Sequence, residues 1–406
     1  MTTYNFDKII NRKGTNCLKY DFAVERGKPA DVLPLWVADM DFPVSEEITK
    51  SLHAAVDHGI YGYTQPKDAY YNAVMNWMEK NHNWKTEREW IVKTPGVVFA
   101  LGAAVKAFTE PGDAVLIQNP VYYPFTNIIR DNDRKVIDNT LVYEKTSAQE
   151  IDEKVVEKAQ YRIDYEDFER KIEQENVKLF ILCNPHNPVG RVWTAEELKK
   201  LGEICLRHHV IVVSDEIHND FVYPGYEHTV FANVDPRFAE FTVTCTAPSK
   251  TFNLAGLQIS NIFIPNEKLR KAFQTEIDKT GYDEPNALGI VACEAAYRAG
   301  EDWLDQLREY LLGNLNFLRS YLQEKIPQIH LVEPEGTYLV WLDCSELGIT
   351  GKELDQFIVD KARLWLDGGS MFGPSGAAFQ RVNIACPQAT LELALNKLKA
   401  AVDSLK

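Results

Sequence analysis

Four short stretches of this chain carry side chains with clear chemical capabilities. Lys250 lies in Ala-Pro-Ser-Lys-Thr-Phe-Asn, and Asp215 lies in Ser-Asp-Glu-Ile-His. Asn187 lies in Asn-Pro-His-Asn-Pro-Val-Gly, and Arg381 in Arg-Val-Asn near the C-terminus. An amine can bond covalently to a carbonyl carbon, a guanidinium can bind a carboxylate, and a carboxylate can balance a protonated ring nitrogen. Together these groups could hold pyridoxal phosphate (PLP) and use it on an amino acid.

The elements that must position these side chains are visible as alternating strand and helix signals. Apolar runs at 91–94, 114–118, 177–183, 210–214, 241–246 and 259–264 are separated by helical segments. This pattern predicts an α/β fold with a mostly parallel sheet covered by helices on both faces. The loop between the last two runs is too short for a crossover helix, so one of them should run antiparallel. The polar stretch 131–158 is predicted to be an irregular surface excursion.

The character of the sequence changes after residue 285. Helical segments at 287–300 and 301–325 are followed by strand-like runs at 337–342 and 381–385, which indicates a smaller α+β domain. We therefore expect a large domain at 46–285, and a small domain formed by 1–45 together with 286–406.

Ligands of such sheets bind at the carboxyl ends of the strands, where several candidate residues fall. Gly96, Val97 and Val98 follow one strand and open a helix, so their backbone N–H groups could hold a phosphate. The alternative is an ordinary strand-to-helix turn. Asp215 ends another strand, where it could pair with a pyridine nitrogen or simply cap a helix.

Three more candidates follow neighbouring strands. The Asn187 amide could donate to the phenolic oxygen of the cofactor, or serve as a turn residue. Tyr122 could stack on the pyridine ring, or pack in the core. A lysine at position 250, near a pyridinium in a partly dry site, would have a lowered pKa and could bond to the cofactor. An isolated lysine would instead be a solvated surface charge.

Composition limits the partners. The chain has 406 residues and a net charge of −15, which disfavours nucleic acid and anionic membranes as partners. Seven scattered cysteines without a Cys-x-x-Cys pair favour reduced thiols in the cytoplasm, without disulfides or a zinc site. No signal peptide is apparent. His208 and His209 lack carboxylate or cysteine partners at ligand spacing, so no metal site is expected.

Over nearly its whole length the chain resembles the fold-type I PLP enzymes of the aspartate aminotransferase superfamily. It is more narrowly similar to the MalY/PatB family of cystathionine β-lyases and cysteine-S-conjugate β-lyases. The narrower resemblance is carried by Pro-Leu-Trp-Val-Ala-Asp-Met-Asp-Phe at 34–42, Tyr-Gly-Tyr-Thr at 61–64, and the stretch 247–257 around Lys250. It implies an aspartate-aminotransferase-like fold, with the N-terminal segment covering the active site.

The resemblance also implies roles for individual residues. Lys250 would carry the cofactor and move the Cα proton, with Asp215 on the pyridine nitrogen and Tyr122 stacked on the ring. Asn187 would bond the phenolic oxygen, and Arg381 would bind the substrate carboxylate. The phosphate would be held by Gly96, Val97 and Val98, helped by Ser249 or Thr246. Tyr61 would reach the phosphate of the neighbouring subunit in a homodimer, while Trp36 and Asp39 would help cover the substrate.

Two departures from typical aminotransferases favour the lyase branch. His218 stands where those enzymes have a tyrosine near the phenolic oxygen, and Gln258 stands where they have a phosphate-binding arginine. The implied reaction is α,β-elimination of a thiol from L-cystathionine or a related cysteine S-conjugate, which leaves pyruvate and ammonia. An aminotransferase would use the same Lys250, Asp215 and Arg381, and a PLP-binding regulatory protein is a third possibility. The sequence does not specify which conjugate is the substrate.

Overall fold

The computed structural model describes residues 3–151 and 154–405. The strands are β1 (Leu33–Pro34), β2 (Ile91–Thr94), β3 (Ala114–Ile117), β4 (Lys135–Asp138), β5 (Val142–Ile151), β6 (Lys154–Arg162), β7 (Leu179–Cys183), β8 (Ile211–Asp215), β9 (Thr242–Thr246), β10 (Ser260–Phe263), β11 (His330–Val332), β12 (Leu339–Asp343), β13 (Leu364–Trp365), β14 (Asp367–Gly368) and β15 (Phe379–Asn383). The α-helices are α1 (Leu18–Asp21), α2 (Glu46–His58), α3 (Asp68–His82), α4 (Val97–Phe108), α5 (Pro124–Asp131), α6 (Tyr165–Glu175), α7 (Ala195–Arg207), α8 (Pro248–Thr251), α9 (Glu267–Asp278), α10 (Ala287–Ala299), α11 (Glu301–Lys325), α12 (Gly351–Asp360) and α13 (Gln388–Asp403).

The main sheet has seven strands in the order β2-β10-β9-β8-β7-β3-β4. Strand β10 is antiparallel to both β2 and β9, whereas the other neighbours pair in parallel. The prediction of a mostly parallel sheet with one antiparallel strand is therefore confirmed. The parallel arrangement brings the carboxyl ends of β2, β3, β7, β8 and β9 to the same edge of the sheet.

Helices cover both faces of this sheet. Alternate residues of β7, such as Leu179 and Ile181, share one buried cluster with α4 and α9. The intervening Phe180 and Leu182 belong to a second cluster with residues of α6 and α7. Successive side chains of a strand point to opposite faces, so both faces of a fully buried strand must be apolar. This explains the continuous Val, Ile and Leu runs.

The expectation that 131–158 is irregular is wrong. Residues 135–138 form β4 at the edge of the main sheet, and β5 pairs with β6 in an antiparallel hairpin. The residues of β4 are exposed or half-buried, because an edge strand has a neighbouring strand on one side only. Its sequence therefore lacks the long apolar run that marks a buried strand.

A second sheet, with the strand order β11-β12-β15-β14, is formed entirely by residues after position 285. Helices α11 and α13 contribute buried leucines to the large apolar cluster beside it. The exact domain boundaries, 46–285 against 1–45 with 286–406, stay a prediction. Among the described residues, no helix is both long and apolar enough to cross a membrane.

The N-terminal segment is fastened to both parts of the chain by asparagine side chains. Asn383 on β15 donates from Nδ2 to the carbonyls of Val37 and Asp39, both at 2.7 Å. Asn253, which follows α8, bonds the backbone of Met40 through both amide atoms at 3.0 Å. Residues 36–42 are thereby held close to the turn that carries the lysine at position 250.

Candidate active site

A cavity of about 180 Å³ lies at the carboxyl edge of the main sheet, beside the first turn of α4. Its walls bring together residues from six separate segments of the chain. They are Ala38, Pro95, Gly96, Val97, Val98, Tyr122, Cys183, Asn187, Asp215, Ile217, His218, Ser249, Lys250, Ala255 and Ile259. Nine of the site residues predicted from the sequence are therefore neighbours in space, namely Gly96, Val97, Val98, Tyr122, Asn187, Asp215, His218, Ser249 and Lys250.

Asp215, the last residue of β8, places a buried carboxylate on the cavity wall. Its Oδ1 accepts a 3.2 Å hydrogen bond from the backbone N–H of Ile217, and none of the ion pairs among the described residues includes it. Burial raises the pKa of Asp215 to about 7, although the nearby Lys250 charge opposes this. A buried carboxylate without a cation fits the protonated ring nitrogen of PLP.

Lys250 lies in the short helix α8, directly after β9. Its Nζ donates a 2.9 Å hydrogen bond to the carbonyl of Ala38 in the N-terminal segment. Burial lowers the pKa of Lys250 to about 8, and the charge of Arg381 acts in the same direction, whereas Asp39 and Asp215 oppose it. Roughly a tenth of this amine is then neutral at pH 7, against far less for an ordinary lysine, and the neutral form is the one that a covalent or proton-transfer role requires.

Arg381 lies in the middle of β15 and is buried behind Asn187 rather than on the cavity wall. Its Nη1 donates to Asn187 Oδ1 at 3.0 Å, and its Nη2 donates to the carbonyl of Trp36 at 3.0 Å and to Asp367. The bond to Asn187 Oδ1 assigns the other amide atom, Nδ2, as a donor. The geometry thus fits Asn187 as a donor to the phenolic oxygen.

His218 and Tyr122 complete the uncharged polar lining. The Nδ1 atom of His218 is buried and has no hydrogen-bond partner among the described residues. Burial, together with the charges of Lys250 and Arg381, holds the pKa of His218 well below its usual value, so the ring is neutral. Burial also raises the pKa of Tyr122, which keeps its hydroxyl protonated. A neutral imidazole with an unsatisfied nitrogen fits a site that receives a polar ligand.

The first turn of α4 offers unpaired backbone N–H groups to a phosphate. A Cβ at Gly96 would meet no protein atom within 4 Å, which leaves open space beside this turn. Ser249 also lines the cavity, but Thr246 does not, because its buried hydroxyl donates to the carbonyl of Asn261 at 3.0 Å. Among the described residues, Lys250 is the one cationic side chain on the wall, so backbone amides and the Ser249 hydroxyl are the groups that could hold a phosphate beside this turn.

Besides Arg381 and Thr246, three more of the predicted residues lie outside the cavity. The Tyr61 side chain is 62% exposed, and its hydroxyl donates to the carbonyl of Val56. Trp36 stacks on Trp365 with ring centroids 4.4 Å apart and contributes only its carbonyl to Arg381. Asp39 forms an ion pair with Arg12 beside the cavity.

The structure also contradicts the expectation that His208 lacks carboxylate partners. Its Nε2 lies 3.0 Å from Glu169 and 3.8 Å from Glu173, both on α6. Arg207 also forms an ion pair with the partly exposed Glu169, so this carboxylate is already bound by a guanidinium. The absence of a metal site stays a prediction.

Sequence reasoning missed two contributors to the site. The carbonyl of Ala38 accepts from Lys250 and also from the Tyr338 hydroxyl at 3.0 Å. The carboxylate of Asp367 pairs with Arg381. A backbone carbonyl can belong to any residue type, so the sequence carries no signal for the Ala38 contact. Asp367 does carry a signal, since it is a carboxylate before a Gly-Gly pair in the C-terminal region. It could have been considered as a cross-strand neighbour of Arg381.

Comparisons with known proteins identify the family of the chain. The family model for aminotransferase class I and II matches residues 30–398. Cystathionine beta-lyase PatB of Bacillus subtilis is 46% identical over 398 residues, covering 98% of this chain and all of that protein. Protein MalY of Escherichia coli is 30% identical over 405 residues, covering 99% of this chain and all of that protein.

A solved structure gives the same result. The crystal structure of cystalysin from Treponema denticola, which contains a pyridoxal 5'-phosphate cofactor, matches with a TM-score of 0.93 and 38% identity. The match covers the full length of both chains. The resemblance inferred from the sequence is confirmed, and the chain belongs to the aminotransferase class I and II family, in the group that includes the cystathionine β-lyase PatB and MalY.

Proposed function

We propose that the protein is a PLP-dependent carbon–sulfur β-lyase that acts on L-cystathionine or a related cysteine S-conjugate. The products are pyruvate, ammonia and a thiol. The observation that carries the proposal is the meeting of Lys250 and Asp215 on one cavity wall beside the Asn187–Arg381 pair. When bound, PLP supplies a carbonyl carbon for covalent attachment and a ring that accepts electrons from the substrate Cα.

Neutral donors and one carboxylate would hold the cofactor. Asp215 would pair with the ring nitrogen, a contact that would stabilise the charged carboxylate and so offset the effect of burial on its pKa. Asn187 Nδ2 and the neutral His218 would bond the phenolic oxygen, and Tyr122 would pack on the ring. The backbone of the 96–98 turn and Ser249 would hold the phosphate. Ser249 is preferred to Thr246 because only the former lines the cavity.

Lys250 moves the protons. Its neutral amine takes the proton from the substrate Cα, and the Cβ–S bond then breaks with loss of a thiolate. The same amine, now protonated, can return that proton to the thiolate, which is a good leaving group. The Ala38 carbonyl, already 2.9 Å from Nζ, holds the lysine while it is protonated. The released three-carbon enamine hydrolyses to pyruvate and ammonia.

Arg381 orients the substrate through its carboxylate. A bidentate guanidinium–carboxylate contact fixes direction as well as position. Holding the substrate Cα–H bond in one orientation toward the Lys250 amine would contribute on the order of several kcal/mol to the rate, as other alignment effects do. The segment 36–42 lies over this region, so Trp36 and Asp39 act in covering the substrate rather than in contacting the ring.

The active unit is proposed to be a cytoplasmic homodimer. The segment around Tyr61 is strongly exposed, with Ile60 at 72% and Tyr63 at 95%. Such apolar exposure is typical of an interaction surface. Tyr61 of a second copy would reach the phosphate end, which has no arginine on its wall. All seven cysteines are unpaired, which supports a reducing compartment.

The test is to incubate the purified holoenzyme with L-cystathionine in the absence of any keto acid. Pyruvate and free thiol should rise together in equal amounts. Lys250→Ala should abolish both products and the visible absorbance of the covalently bound cofactor. Lys271→Ala, which changes an exposed lysine paired with Glu267, should leave both unchanged.

Other outcomes would reject the proposal. Cofactor absorbance with turnover only after a keto acid is added would identify an aminotransferase. Cofactor absorbance without turnover under either condition would favour a regulatory role. For the dimer, sedimentation should give twice the chain mass, and Tyr61→Phe should weaken PLP affinity; a monomer that is fully active would contradict this part.

A further inference from the structure

Asp367 and Arg381 form a buried ion pair, and the proposed reaction gives no role to Asp367. Strand β14 is antiparallel to β15, and their register puts Asp367 directly opposite Arg381. Directly opposed residues have Cβ atoms about 5 Å apart, close enough for an ion pair. Both side chains are only 4% exposed. Strand register therefore sets the two residues opposite each other, and both side chains are shielded from water.

The hydrogen bonds of Arg381 limit how a substrate carboxylate can bind. Both hydrogens of Nη2 are already used, one by the Trp36 carbonyl and one by Asp367 Oδ2. Of the Nη1 hydrogens, one is donated to Asn187. A bidentate carboxylate takes either the Nη1/Nη2 edge or the Nε/Nη2 edge of a guanidinium. Each edge includes an Nη2 hydrogen, so one of its two present acceptors must leave.

Of these two acceptors, the Trp36 carbonyl is the more firmly held. It belongs to the main chain next to β1, which pairs in parallel with β13. The following Val37 carbonyl accepts from Asn383 at 2.7 Å, and the preceding Leu35 N–H donates to Trp365 at 2.9 Å. Asp367, in contrast, contacts Nη2 through a side chain that can rotate. Substrate binding at Arg381 should therefore displace Asp367.

We propose that Asp367 is an internal competitor of the substrate carboxylate for Arg381, and that it sets the affinity of the site for amino acids. Without substrate, it balances the buried guanidinium and keeps Arg381 directed at Asn187. With substrate, its displacement opposes binding, and the same competition favours release of a carboxylate product. The inference rests on the proposed role of Arg381 in binding the substrate carboxylate.

The test uses propanoate, a carboxylate that lacks an amine and cannot bond covalently to the cofactor. Its inhibition constant is measured with the holoenzyme, together with KM and kcat for L-cystathionine. Asp367→Asn keeps an acceptor oxygen but removes the charge. It should bind propanoate about tenfold more tightly or better, corresponding to about 1.4 kcal/mol. KM should fall in parallel, while kcat stays within about twofold.

The matched control is Asp355→Asn. Asp355 is a neighbouring carboxylate that accepts from Gln380 rather than from Arg381, so its removal should leave propanoate inhibition nearly unchanged. If Asp367→Asn does not yield cofactor-loaded protein, Asp367→Ser should give the same gain. Unchanged or weaker propanoate binding in the Asp367 variant would overturn the proposal. Equal gains from Asp355→Asn would also overturn it, since a general charge effect would then suffice.

Arg381→Lys separates this inference from the proposed function. The lysine cannot form the bidentate contact, so propanoate inhibition should weaken by about tenfold or more. If Arg381→Lys retains full inhibition, Arg381 is not the carboxylate site, and both its proposed role and the inference fall. If inhibition is lost in Arg381→Lys but is unchanged in Asp367→Asn, only the role of Asp367 is refuted.

Discussion

Asp215 should destabilise the cofactor-free protein at neutral and alkaline pH. Its carboxylate is buried and forms no ion pair with the described residues, and burial raises its pKa from 3.8 to about 7 against the opposing charge of Lys250. Because the native state binds this proton more tightly than the unfolded chain, the contribution of Asp215 to stability is fully present below about pH 4. It is lost as the pH rises to 7. A shift of about three pKa units corresponds to a loss of about 4 kcal/mol.

Asp215→Asn removes this cost while keeping an oxygen that can accept from the Ile217 N–H. Denaturant unfolding of the cofactor-free protein gives the stability of the variant relative to the wild type. This relative stability should rise by about 4 kcal/mol between pH 4 and pH 8. Protein concentration must be the same throughout, because assembly would add to the measured stability. With PLP present the effect should reverse, since the variant lacks the charge that pairs with the ring nitrogen.

Asp235→Asn is the matched control. Arg237 lowers the pKa of Asp235 to about 2, so this carboxylate stabilises the fold above about pH 4 and loses that effect as the pH falls. Its replacement should therefore cost stability at pH 8, the opposite sign. If Asp215→Asn gives the same stability difference at pH 4 and pH 8, or if the cofactor-free variant is less stable than the wild type at pH 8, burial of the Asp215 charge does not destabilise the fold.

Three further substitutions test packing, capping and a buried ion pair by the same unfolding assay. Gly202→Ala would put a Cβ 2.1 Å from the ring of Phe238, so we expect a loss of about 1–3 kcal/mol; a loss below about 0.5 kcal/mol would mean that the ring yields. Thr194→Ala removes the N-cap of α7 and should cost about 1 kcal/mol, and a neutral result would show that the cap contributes nothing. Arg191→Met leaves Glu335 as a buried unpaired charge and should cost about 3–5 kcal/mol. Adding Glu335→Gln should recover part of that loss, and failure to do so would argue against the ion pair as the cause.

Much of the main sheet could be predicted because burial on both faces requires apolar residues in succession. Strands β7 and β8 are almost entirely buried, and their Val, Ile and Leu runs are unambiguous. The antiparallel β10 followed from the length of its connection alone. Strand β4 and the β5–β6 hairpin were not predicted, because an edge strand and a polar hairpin need no such run.

The site could be predicted where function follows from position at a strand end. Asp215 is the last residue of a parallel strand, and Asn187 and Lys250 each lie shortly after one; parallel strands end at one edge. Thr246 met the same criterion, yet its hydroxyl is bonded to Asn261 on the neighbouring strand. A residue at a strand end can face the cavity or an adjacent strand, and sequence position does not distinguish these orientations.

The sequence by itself determined the fold class, the family and the residue types of the site, because these depend on local composition and on motifs of a few residues. Only the tertiary structure decided which atoms meet. The Ala38 carbonyl reaches Lys250 across 212 positions, and the Asn187 amide is oriented by Arg381 from 194 positions away. Asp367 opposes Arg381 through the register of two strands. Contacts of this kind arise from strand pairing and chain packing, which leave no signature in either segment alone.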